Sequence, residues 1–101
     1  MLDMEAARNL ALAHISQSWT IPDSHPVILD EATIEREFGW VFFYDSSRHV
    51  ETGMISDAIA GNAPIIVNKH DGTLHFTGTA SPISYYIEDY ERTGDPYFRE
   101  R

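Results

Sequence analysis

Asp45 and His49 lie close enough in the chain to form an acid–base dyad, in which a carboxylate orients an imidazole for proton transfer. Such a dyad drives covalent catalysis only beside a nucleophile and a donor that stabilises developing negative charge. Ser46, Ser47 and Ser81 are candidate nucleophiles, yet none sits in a Gly-x-Ser-x-Gly elbow, and the loop around His49 has no cysteine and no evident oxyanion donor. Ser81 has a structural role open to it, as the cap of a following helix.

The five histidines raise metal binding next. His70 and His75 flank Asp71-Gly72, and either could approach His25 or His49 in space. No pair has the helical i, i+4 spacing or the short gap of a zinc motif, so His70 is expected in solvent and His75 half-buried or solvent-facing on a strand. The acidic pairs Asp30-Glu31, Glu35-Glu37 and Glu88-Asp89 stand in solvent-seeking sequence, where clustered acids form solvated faces more often than acid–base pairs with split pKa values. The glycines are isolated and make no phosphate cradle. Gly61, Gly72 and Gly78 fall at element ends, and Gly39 marks a bulge or a close backbone approach. Tyr85, Tyr86, Tyr90, Tyr97 and Phe98 lie among Glu88, Asp89, Glu91 and Asp95, which disfavours stacking of nucleic-acid bases. Tyr85, Tyr97 and Phe98 remain as anchors for a protein interface. No catalytic, cofactor or metal site emerges.

The elements that must position these residues follow from periodicity. Asp3 to Ser18 has Met4, Ala7, Ala11 and Ile15 at helical spacing, adjoined by Leu12 and Trp19, with Asp3 as N-cap. Leu2, Ala6, Leu10 and Ala13 make a second apolar strip, which suggests contact with a second copy or a partner. Ile21 to Pro26 is a turn, since two prolines oppose regular pairing. Val27 to Asp30 is a short strand, and Thr33 to Phe38 leads into a turn or bulge. Trp40 to Tyr44 is the strongest strand, with Trp40, Phe42 and Tyr44 on one face and Val41 and Phe43 on the other, so it belongs in the centre of a sheet. Asp45 to Arg48 ends it. A loop then leads to a short helix from about Ile55 to Ala60, with Met54, Ile55, Ala58 and Ile59 in helical spacing and Gly61-Asn62 as its stop. Residues 64–78 form a hairpin: Pro64 opens it, Ile65, Ile66 and Val67 are strand formers, and Asp71-Gly72 supplies a tight turn. Ser81-Pro82 starts a last helix to about Arg92, with Ile83, Tyr86, Ile87 and Tyr90 inward, broken by Thr93 to Pro96. The expected fold class is α+β: an N-terminal helix, an antiparallel sheet of about four strands including the 64–78 hairpin, and a C-terminal helix packed on the sheet.

At 101 residues the chain suits one domain, 1–101, and its 43% hydrophobic content with 12% aromatics suits a folded core. Sixteen acidic residues oppose seven basic ones, for a net charge of −9. That field repels phosphate backbones and anionic membranes and attracts cationic proteins. No apolar run approaches the ~20 residues that span a bilayer. The absence of cysteine excludes disulfides, and with no charged-then-apolar leader at the start a cytoplasmic location is expected.

The ordered set Gly39-Trp40-Val41-Phe42-Phe43-Tyr44-Asp45-Ser46, Gly61-Asn62-Ala63-Pro64-Ile65-Ile66-Val67, Asp71-Gly72, Thr77-Gly78-Thr79 and Pro82 through Tyr90 resembles the bacterial immunity protein 35 family, also called YrhB-like. The resemblance implies a small α+β domain encoded beside polymorphic toxins, which neutralises a cognate toxin by binding it, without chemistry of its own. Trp40, Gly61, Asn62, Pro64 and Gly78, which carry it, are fold determinants and mark no binding surface. The expected partner is a basic or cleft-bearing toxin domain. Expected contacts are Asp45, Arg48, Glu51 and Asp57 in the acidic loop, and Tyr85, Glu88, Asp89, Tyr97 and Phe98 in the last helix and tail. The rival readings are a chaperone-like or adaptor module that binds peptides at a sheet edge, and a small hydrolase using His49 and Asp45. A homodimer through the second apolar strip is compatible with each.

Overall fold

A computed structural model describes residues 1–20, 22–52, 63–78 and 81–96. Helix α1 (Met4–Gln17) starts where expected: the Asp3 carboxylate accepts the Ala6 N–H at 2.8 Å and so caps the first turn. Strand β1 (Pro26–Ile28) and a single 3₁₀ turn (Asp30–Ala32) lead to β2 (Ile34–Arg36). Then come β3 (Gly39–Phe42), β4 (Tyr44–Ser46) and the short helix α2 (Ser47–Thr52). The hairpin strands β5 (Ile65–Asn68) and β6 (Leu74–Phe76) precede α3 (Ile83–Thr93).

The main sheet is antiparallel throughout, in the order β2-β3-β5-β6, and β1 pairs with β4 in a separate ribbon. The α+β architecture is as expected, and β3 is interior. Its alternation divides the core as the period of a strand requires. Trp40 and Phe42, with Ile65 and Val67 opposite them, pack beneath α1 through Ala7, Ala11 and Ile15. Val41 and Ile66 pack on the other face against Ile87 and Tyr90 of α3. The alanines in α1 let that helix approach the sheet closely, and the larger residues on α3 fill the opposite side.

Several local expectations need correction. Thr33 to Phe38 contains a true edge strand, β2, before its turn. Pro26 does pair, as the first residue of β1, where a missing N–H is tolerated. The Trp40–Tyr44 run divides at Phe43, whose carbonyl accepts the Leu29 N–H at 2.8 Å, and the chain then changes partner from β5 to β1. A helix begins already at Ser47. The hairpin loop is wider than a two-residue turn: Asn68 N–H bonds the Thr73 carbonyl and Gly72 N–H returns to the Asn68 carbonyl, with Gly72 at φ 72°. Pro82, not Ser81, occupies the N-cap of α3, with no side-chain cap. Of the second strip on α1, Leu2 tucks against the core while Leu10 is 40% exposed. The helix expected over Ile55–Ala60, its neighbour Met54 and the Gly61-Asn62 stop lie outside the described residues.

Gly39 is a point of close backbone approach in the sheet. Its φ is 145°, and a Cβ there would stand 2.0 Å from the Val67 carbonyl oxygen across the β3–β5 ladder. Gly94 also has positive φ, 80°, as the C-cap of α3, but open space surrounds it. Gly39→Ala should therefore lose about 3 kcal/mol or more of unfolding free energy. Gly94→Ala should lose only about 1 kcal/mol, the backbone term alone. Urea denaturation followed by circular dichroism measures both, and equal losses would contradict the close approach at Gly39.

Candidate functional site

The dyad candidate forms. Asp45, buried at the middle of β4, places Oδ2 at 3.6 Å from His49 Nε2 on α2, while its Oδ1 accepts the Ser46 N–H at 2.7 Å. The neighbouring hydroxyls hold backbone: Ser46 Oγ accepts the His49 N–H at 3.1 Å, and Ser47 Oγ accepts the His25 N–H at 3.0 Å. These bonds explain why a helix starts at Ser47, since the first satisfies the His49 N–H in its first turn and the second docks it on the residue preceding β1. The arrangement can orient an imidazole, and its nearest hydroxyls are occupied as acceptors in the turn from β4 into α2.

The expected contact residues fall on two elements. Arg48 and Glu51 are exposed on α2, which sits on the β1–β4 ribbon. Tyr85 and Glu88 are exposed on α3, on the far side of the four-stranded sheet from α1. Two of the expected contacts, Asp45 and Asp89, are buried, which for Asp89 corrects the expectation that the Glu88-Asp89 pair is a solvated face; Asp89 accepts from Arg92 at 3.2 Å one turn along α3. Buried carboxylates of this kind are retained where donors meet them, and they offer little to a partner. Asp57, Tyr97 and Phe98 lie outside the described residues.

A more organised surface surrounds the hairpin loop, where no contact residue was expected. Asn68, at the end of β5, accepts the His70 and Asp71 N–H groups through Oδ1 and donates from Nδ2 to Tyr90 Oη at 2.9 Å. Tyr90 in turn meets Phe38 edge-on, with centroids 4.8 Å apart, and the His75 ring at 4.9 Å. His70 Nε2 lies 3.3 Å from the Glu37 carbonyl oxygen, and Lys69 N–H donates to the Phe38 carbonyl. Three segments distant in sequence thus converge on an open groove of about 350 Å³ lined by Glu37, Phe38, His70 and Glu91. A second depression on the other side of His70, about 250 Å³, is lined by Met1, Leu2, Lys69, Asp71 and Gly72. His75 is half-buried, as expected of a strand histidine, and Thr73 Oγ1 lies 2.8 Å from its Nε2. Among the described residues no group of three His, Asp or Glu side chains has a metal-holding arrangement, and no helix is long and apolar enough to cross a membrane.

Two carboxylates are tuned by their partners. The Arg8 guanidinium, bonded to Asp30 at 2.6 and 3.1 Å, holds that carboxyl below its ordinary value. At the loop, the Thr73 hydroxyl and then the Thr73 N–H, both donating to Asp71 Oδ1, lower the Asp71 pKa. Both effects are hydrogen bonding to the charged form.

The comparisons with known proteins point one way. A family model described as immunity protein 35 matches residues 5–93. The chain is also similar to a protein of Escherichia coli (strain K12) described as uncharacterized protein YrhB, with 43% identity over 53 residues. That alignment covers 52% of this chain and 56% of the relative, so the chain spans little more than half of that protein's length. No solved structure matches significantly.

The lowered Asp71 pKa carries a pH consequence for the loop. A depressed folded value means stabilisation that is complete above the unfolded pKa and is lost as pH falls through the folded one. The Thr73 amide resonance should titrate with a midpoint below that of an unperturbed aspartate, and Asp71→Asn should abolish the step. A midpoint at or above the ordinary value would show that the Thr73 bonds do not hold the carboxylate.

Proposed function

Because this chain belongs to the immunity protein 35 family, we propose that it neutralises a cognate bacterial toxin domain by direct protein–protein contact, without catalysis. Membership over residues 5–93 is the observation that carries the reading. The net charge of −9 supports a basic partner over nucleic acid or an anionic membrane, because opposite charge speeds encounter and like charge opposes it. The reading takes residues 1–101 as one domain acting in the cytoplasm. Its contacts lie on the exposed positions of α2 and α3, with Tyr85, 51% exposed, as an aromatic anchor on α3, Glu88 as a polar contact on the same helix, and Arg48 and Glu51 as polar contacts on α2. Asp57, Tyr97 and Phe98 are proposed as further contacts, while Asp45 and Asp89 are buried.

One observation favours a second reading. Strand β6 is an edge of the main sheet, and its Phe76 is 37% exposed beside His14 of α1, the arrangement a peptide-binding adaptor or chaperone would use for strand addition. The exposed Leu10 on α1 is likewise where a homodimer would form, and sedimentation in solution decides that point.

Co-expression with the C-terminal domain of the protein encoded beside it is the direct test. Wild type should restore growth and co-purify with that domain, and His49→Ala should protect equally, since no proton transfer is required. Tyr85→Ala should weaken binding about tenfold. Protection lost in His49→Ala with binding intact would favour the hydrolase, and suppression of aggregation of unrelated clients without toxin binding would favour the adaptor.

A further inference from the structure

The groove between the Glu37-Phe38 turn, His70 of the hairpin loop and Glu91 of α3 has the chemistry of a receptor for a cation. Its carboxylates are not neutralised from within: Glu37 and Glu91 have no ion pair or side-chain hydrogen bond among the described residues. Of the cations adjoining the lining residues in the chain, Arg92 meets Asp89, Arg36 donates to the Glu35 carbonyl, and Lys69 lies over the Trp40 ring at 5.4 Å. The apolar part of the groove is Phe38, half-buried and braced edge-on by Tyr90, and His70 also lines it, with its Nε2 3.3 Å from the Glu37 carbonyl oxygen. Both side chains are therefore held in place beforehand, which lowers the ordering cost of filling the groove.

We infer that this groove receives an arginine side chain of the toxin, with the guanidinium against Phe38 between the carboxylates of Glu37 and Glu91. The inference rests on the immunity reading for the identity of the partner. Three observations select the occupant. Two free carboxylates in a chain of net charge −9 favour a cation over a neutral or anionic ligand. The lining lacks the three-ligand arrangement a metal ion needs among the described residues, and the groove is open, which suits a side chain presented on another protein's surface. Arginine is preferred to lysine because its planar, weakly hydrated guanidinium stacks on an aromatic ring while its donors fan out in plane. The site also continues the proposed contact face, since Tyr85, Glu88 and Glu91 follow one another at i, i+3 spacing along α3 and are all exposed.

The test has two arms. In the first, the ¹⁵N-labelled full chain is titrated with the peptide amide acetyl-Gly-Arg-Gly and with its Gln counterpart. The Arg peptide should shift the amide resonances of Glu37, Phe38, His70 and Glu91 at millimolar concentration; the Gln peptide should not, and Glu37→Gln/Glu91→Gln should abolish the response. Shifts scattered over the other acidic positions, or unchanged in the double variant, would overturn the inference. In the second arm, affinity for the neighbouring gene's toxin domain should fall about tenfold in the double variant, with a shallower salt dependence. Equal affinity of the two forms would also overturn it. A wild-type chain that neither binds nor protects against that domain refutes the immunity reading instead, and the peptide arm then decides the groove alone.

Discussion

The β3–β5 ladder is the constraint on which the rest of the molecule depends. Trp40, Val41 and Phe42 face Val67, Ile66 and Ile65 in register, and all six are buried. A strand pair apolar on both faces has to be covered twice, so the chain needs one helix above and one below. The close approach at Gly39 fixes where the ladder ends, since a slip by one residue would exchange the two cores and drive a side chain into the Val67 carbonyl. Asn68 pairs with Gly39 at that end, and immediately beyond it come the hairpin loop and the Glu37-Phe38 turn. The groove is thus a consequence of how the central ladder terminates.

What the sequence made legible is what neighbouring residues specify. Asp3 caps its own helix, the alternation from Trp40 to Phe43 sorts side chains between two faces, and Ile83, Tyr86, Ile87 and Tyr90 form a stripe that needs no partner to be recognised. The errors share one cause. Strand β2 has a single apolar residue, Ile34, turned toward the core, so its pairing with β3 is a tertiary fact. Phe43 and Tyr44 have the propensity to prolong β3, and only the offer of β1 explains the change of partner. Helix α2 starts at Ser47 under a local Ser46 bond to the His49 N–H, and His25, from a distant segment, holds that start in place.

The same distinction separates the expected contacts from the observed surface. Asp45, Glu88 and Asp89 look alike in sequence, as acids in polar runs. In the fold Asp45 meets Ser46 and His49, Asp89 meets Arg92, and Glu88 is exposed. Each donor lies within four residues of its carboxylate in the chain, but whether the two meet depends on the strand or helix that forms there, and that decides whether a carboxylate is structural or available. Glu37, His70 and Glu91 carried no motif because they come from three segments joined only by the tertiary fold.

A stable fold and an interactive surface make opposing demands on acidic residues, and this chain separates them in space. Repulsion among sixteen acids weakens the compact state, so the carboxylates that can be answered internally are answered: Asp3 by a helix N-terminus, Asp30 by Arg8, Asp71 by Thr73 and Asp89 by Arg92. Each of these also ties a segment end to its neighbour. The residual negative potential is then carried by residues such as Glu88 and Glu91, whose exposure leaves them solvated at little cost to folding. Tyr90 links the two roles, because one face of α3 presents its ring to Asn68, Phe38 and His75 while the adjoining face presents Glu91 to solvent. Anchoring the helix through Tyr90 therefore sets the position of the carboxylate one residue on, and the packing that stabilises the domain also shapes the surface a partner would meet.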